Sequence, residues 1–117
     1  VVWVSNDTMG GTLDSGGHVL ALRSTDGGAT WGDLSVLDPF AGRLTVTPNA
    51  AGTHPRVAAG GAGHWLAVWE STNPLGGSIG SDYDVLFSRS TDDGRTWSEP
   101  APVNPDAAID SDRDLFP

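Results

Sequence analysis

The chain alternates short apolar bursts with polar, glycine-rich stretches, and no burst is long enough for a helix of ordinary length. Val1-Val2-Trp3-Val4, His18-Val19-Leu20-Ala21-Leu22-Arg23 and Leu34-Ser35-Val36-Leu37 each read as a strand. So do Arg56-Val57-Ala58-Ala59, His64-Trp65-Leu66-Ala67-Val68-Trp69 and Asp84-Val85-Leu86-Phe87-Ser88. Residues 99–103 form a seventh strand, broken by Pro100 and Pro102. Proline cannot donate to a ladder, so this strand is expected at a sheet edge. A further extended piece is expected at Leu44-Thr45-Val46, within the long connection from Asp38 to Pro55. Runs such as Val85-Leu86-Phe87 lack a clean polar alternation, which predicts sheets covered on both faces.

The order of bursts repeats. Ser90-Thr91-Asp92-Asp93-Gly94-Arg95-Thr96-Trp97 has an earlier copy, Ser24-Thr25-Asp26-Gly27-Gly28-Ala29-Thr30-Trp31, 66 positions before it (90 − 24). At that offset the chain aligns with itself without a gap from Val1 to Pro39. Even the loops match: Met9-Gly10-Gly11-Thr12-Leu13 against Leu75-Gly76-Gly77-Ser78-Ile79. Fixed-period self-similarity marks a repeat architecture. The octapeptide itself reads as a pinned turn between two strands. An Asp carboxylate accepts from backbone N–H groups just ahead, glycine supplies positive φ, and the Trp anchors the next strand. Asp26 and Asp92 are thus turn formers rather than catalysts.

The fuller second copy describes a four-stranded antiparallel meander; the first lacks the strand equivalent to Arg56–Ala59. Four-stranded sheets packed around an axis make a β-propeller. The expected fold is therefore all-β, with an incomplete blade over 1–55 and a complete blade with an acidic tail over 56–117. Two blades do not close a ring of roughly 4–8. Pro117 sits where Pro55 sits, just before an inner strand, so the chain reads as a slice of an array. More sequence or copies of the same chain would complete the propeller, and close assembly is expected over a monomer with a covered edge.

The octapeptides resemble the Asp-box, or bacterial neuraminidase repeat, with its pattern Ser-x-Asp-x-Gly-x-Thr-Trp. Ser24, Asp26, Gly28, Thr30 and Trp31 fill it in one copy, and Ser90, Asp92, Gly94, Thr96 and Trp97 in the other. The stretch from Pro55 to Glu70 is also similar to bacterial sialidase-like propellers. The resemblance implies Asp-boxes between the third and fourth strands of each blade, on the face away from the ligand site. It also implies glycan as a ligand class and a secreted or cell-surface bacterial setting.

Whether the chain works as such an enzyme is a separate question. The family uses an arginine cluster, a Tyr–Glu pair and an Asp acid/base drawn from several blades. Arg56 follows Pro55 somewhat like the family's first arginine, but Ala58 stands where the family pattern has Pro. Tyr83 is the only tyrosine; Glu70 and Glu99 are the only glutamates. Glu99 lies beyond the Asp-box, and Glu70 and Tyr83 read as rim residues. The leading expectation is a non-enzymatic structural or glycan-binding module, with Arg56, Trp65, Glu70, Tyr83 and Asp84 as candidate ligand contacts. The alternative is a segment of a sialidase-like glycoside hydrolase whose catalytic residues lie on other blades.

Composition narrows the rest. There is no Cys, hence no disulfide or thiolate chemistry. There is no Lys, and six Arg face fifteen acids for a net charge of −9, which argues against nucleic acid. No apolar run approaches a membrane span, no signal peptide is visible, and no cofactor motif stands out. The long loops hold most of the acids: Asp7, Asp14, Asp82, Asp84, Asp106, Asp110, Asp112 and Asp114. Asp110-x-Asp112-x-Asp114 has the alternating oxygens of a calcium loop start but lacks its Gly and closing Glu; a solvated acidic loop is the simpler reading. The three His lack metal-ligand spacing. Asn6-Asp7-Thr8 is a glycosylation sequon. Trp3, Trp31, Trp69 and Trp97 recur at matched positions and are expected in the core; Trp65 is free to stack on a sugar.

Overall fold

Residues 1–13, 17–38 and 54–114 are described by a computed structural model, and their regular structure is almost entirely β. β1 (Val2–Ser5), β2 (His18–Ala21) and β3 (Ser35–Val36) form one antiparallel sheet in that order. β4 (Arg56–Gly61), β5 (His64–Ser71), β6 (Asp84–Ser90) and β7 (Ala101–Pro102) form a second, again as a meander. Among the described residues, the only helical element is a single 3₁₀ turn at Met9–Gly11. None of the described helical structure is long and apolar enough to cross a membrane.

The sequence repeat is also a register repeat. Trp3 pairs with Leu20 as Trp69 pairs with Leu86, and Leu20 pairs with Val36 as Leu86 pairs with Pro102. The last strand is at the sheet edge, as its prolines require, but spans only Ala101–Pro102 rather than 99–103. Pro102 cannot donate, and beyond it the pairing is carried on by the bond from Val103 N to Val85 O. β3 is likewise shorter than the apolar run 34–37. The expected strand at Leu44-Thr45-Val46 lies outside the described residues, as do Asp14 and Pro117.

The two sheets bury one core between them. Val19, Ala21 and Leu37 of the first meet Ala67, Trp69 and Leu86 of the second, closed at the loop end by Ile79 and Ala107. Pleating puts alternate residues on opposite faces. The first sheet therefore contributes the face of Val2, Val4, Val19 and Ala21, while the second contributes the face of Ala67, Trp69 and Leu86. Shifted by 66, the first set corresponds to Val68, Glu70, Val85 and Phe87, on the opposite face of the second sheet. The sheets thus pack head to tail, unlike faces together.

Two expectations are corrected. Trp31 is 51% exposed, although Trp69 is fully buried and Trp97 packs on the core. Each indole rests on the glycine of its own turn, but Trp97 packs on the core while Trp31 only lines the cleft between the two turns. Coverage on both faces also fails for β6: Leu86 is buried, while Val85 and Phe87 on the far face are only half-buried.

Candidate functional site

The octapeptides close the turns at one end of the sheets with the same bonds in each copy. Ser24 Oγ donates to Asp26 Oδ1 at 2.8 Å and accepts from Gly28 N at 2.8 Å. Asp26 then accepts from Thr30 N at 2.9 Å and from Thr30 Oγ1 at 2.6 Å. In the second copy Ser90, Asp92, Gly94 and Thr96 repeat this at 2.7, 2.9, 2.9 and 2.6 Å. Gly28 and Gly94 have φ of 92° and 79°, the left-handed region where a Cβ is strained. So many donors favour the ionised carboxylate. The Thr30 hydroxyl and amide, with the Ser24 hydroxyl, hold Asp26 down to about 2; Thr96 and Ser90 hold Asp92 well below the usual carboxylate range.

Between the two turns lies a cleft of about 280 Å³ with mainly apolar walls, lined by Trp31, Val57, Trp65 and Trp97 among others. Trp65 is 36% exposed there. The other candidate ligand contacts do not join it. Glu70 and Asp84 lie at the opposite end of the β5–β6 pair, five or more residues along at about 3.3 Å each. Arg56 starts β4 at that far end, exposed. Tyr83 carries the Arg113 guanidinium 4.5 Å above its ring. Glu70 is not a rim residue: it is fully buried, 3.8 Å from His54 Nδ1, because β5 extends past it to Ser71. Tyr83 and Glu70 therefore have different neighbours.

The long-loop end is ordered by a second repeated set of bonds. Ser5 and Ser71 hydroxyls accept from Asp7 N and Asn73 N, whose side chains accept from Met9 N and Leu75 N. The C-terminal segment is stitched to the β5–β6 loop by Gly80 N to Ala107 O at 2.9 Å and Asp114 N to Tyr83 O at 2.7 Å. That stitching brings Asp110 to Asp82 and Asp84: one oxygen of each lies within 4.8 Å of the others. The acids that the fold gathers are thus Asp82, Asp84 and Asp110, of which only Asp110 belongs to the sequential Asp110, Asp112 and Asp114. Asp112 is exposed and belongs to no such cluster among the described residues.

Asp84, the first residue of β6, is 1% exposed and neither of its oxygens makes a hydrogen bond. Burial first, then the Asp82 charge, raises its acid above the ordinary range, with Asn104 offsetting part of the rise. Asp110 is raised too, by burial and by Asp106 and Asp82. Asp82 turns its carboxylate over Gly80, where a Cβ would collide with it. Sequence reasoning placed Asp82 and Asp84 among the loop acids but could not join them to Asp110. The missing signal is the fold of residues 104–110, which contains no distinctive motif.

No protein-family model matches the chain, and neither a curated protein nor a solved structure matches it.

Proposed function

We propose that the chain is a pair of Asp-box propeller blades and serves as a non-enzymatic building block, joined to further blades supplied by copies of itself. The head-to-tail packing carries this reading. The interface between the sheets joins two unlike faces, and the second sheet keeps its other face only half-covered, at Val68, Val85 and Phe87, whereas Leu20 on the far face of the first sheet is fully buried. An outward face of one copy therefore matches, by repeat, the face that already accepts a sheet inside the chain. Unlike-face contacts of this kind propagate, and close into rings when the rotation permits. The open edge of β4 and the 45% exposed Leu66 on the second outward face fit the same reading.

Light scattering of the purified chain is the test. A closed assembly of several copies is expected, and a monomer at all concentrations would overturn it. The resemblance makes glycan the ligand class to try, with Trp31 and Trp65 in the cleft as stacking surfaces. A glycan array on the assembled form would separate a binding module from a scaffold. The alternative, a segment of a sialidase-like hydrolase, would need its arginine cluster and Tyr–Glu pair from other blades.

A further inference from the structure

We propose that Asp82, Asp84 and Asp110, with the Asn104 amide oxygen, bind a hard divalent cation of the calcium class. The cation would fasten the 104–114 segment to the β5–β6 loop. Clustered acids alone would not justify this; the state of Asp84 does. Asp84 is 99% buried, has one oxygen within 4.8 Å of an oxygen of each of the other two, and makes no hydrogen bond of ordinary geometry through either oxygen; the Asn104 amide offsets only part of that burial. An ionised carboxylate out of water and without a partner is strongly unfavourable. Asp82 Oδ2, Asp110 Oδ1 and Asn104 Oδ1 are also buried without a partner, so the unmet demand is for positive charge from outside the described residues. Among the described residues, no Arg or His lies within ion-pair reach of these three acids. Arg113, in the same segment, sits over Tyr83 instead.

The chain contains its own comparison. At the 66-residue offset, Asp84 corresponds to His18 (84 − 66) and Asn104 to Asp38 (104 − 66). In the first copy these two side chains face each other, His18 Nδ1 3.8 Å from Asp38 Oδ1, and Asp38 Oδ1 also accepts from Val19 N at 3.1 Å. Gly16 and Leu44 stand at the positions of Asp82 and Asp110. One copy thus places a His beside its acid; the other places acids together. The donor set decides the metal class. Oxygen-only ligands from an irregular loop suit calcium, which accepts six to eight oxygens flexibly, better than magnesium with its strict octahedron. Without His or Cys in the cluster, zinc is a poor fit.

The experiment is urea unfolding of the full chain at pH 7, at fixed protein concentration and ionic strength, in EDTA, CaCl2 or MgCl2. Calcium at one hundred times its dissociation constant should raise the folding constant about 100-fold, with magnesium well behind. Asp84→Asn should lose the calcium response yet be at least as stable as the parent in EDTA, because it removes an unpaired buried charge. Asp112→Asn, outside the cluster, should keep the response. If Asp84→Asn does not fold, Asp110→Asn must lose the response instead. Calcium-independent unfolding of the parent at millimolar calcium would overturn the proposal. An undiminished response in Asp84→Asn or Asp110→Asn would overturn it too, since that would be general screening of the −9 charge.

Discussion

The Thr96 hydroxyl donates to Asp92 Oδ2 at 2.6 Å, and the matching bond from Thr30 to Asp26 has the same length. Asp92 also accepts from Ser90 Oγ, Arg95 N and Thr96 N, so one carboxylate closes the turn from several sides. Thr96→Val removes only the shortest of these bonds at nearly constant shape. Asp92→Ala removes all of them and leaves the donors to water. Both should lower the urea midpoint, Asp92→Ala by clearly more. Equal effects would mean that the backbone alone sets the turn.

The same turns predict the acid limb of stability. Asp26 and Asp92 titrate below their unfolded value of 3.8, so the folded chain holds fewer protons than the unfolded one there. Their contribution is complete above about pH 4 to 5 and is lost as pH falls through 3.8 toward the folded values, near 2 for Asp26. Asp26→Asn with Asp92→Asn should flatten that limb between pH 5 and about 2. Urea midpoints across that range check it.

The matched tryptophans should not be equivalent. Trp69 is fully buried between the sheets, so Trp69→Ala should cost about 3–5 kcal/mol. Trp31 is half in solvent, and Trp31→Ala should cost about 1 kcal/mol in the isolated chain. Chemical denaturation of the two variants compares them directly.

Gly80→Ala tests the acid pocket from its floor. Gly80 has no left-handed backbone requirement, so alanine is conformationally allowed, but its Cβ would overlap the Asp82 carboxylate. The Asp82 side chain can swing away, so stability in EDTA should change little while calcium affinity falls. Calcium titration followed by unfolding reads both.

Leu66→Glu addresses the outward face of the second sheet. At 45% exposure this residue contributes little to the single chain, and surface changes usually stay within about 0.5 kcal/mol. If copies stack on that face, a buried charge there would break the assembly. Light scattering should show smaller particles with an unchanged unfolding midpoint after dissociation is allowed for.

The all-β class, the seven strands and the matched turns were legible in the sequence, because each is local. Strand bursts need only apolar content, and a Ser-x-Asp-x-Gly-x-Thr-Trp turn is closed by bonds spanning at most four residues. The 66-residue repeat carries over into the register, Trp3 pairing with Leu20 as Trp69 pairs with Leu86. What tertiary structure alone decided was which faces met and which acids converged. Trp31 and Trp97 fill the same pattern and line the same cleft, yet only the second packs on the core. Asp84 and Asp110 are 26 positions apart (110 − 84), and nothing local joins them. They come together because Gly80 bonds Ala107 and Tyr83 bonds Asp114, folding the C-terminal segment back onto the β5–β6 loop. The octapeptides identify the repeat, while the chemistry of this chain gathers at the other end of the sheets, where burial leaves a carboxylate in want of a cation.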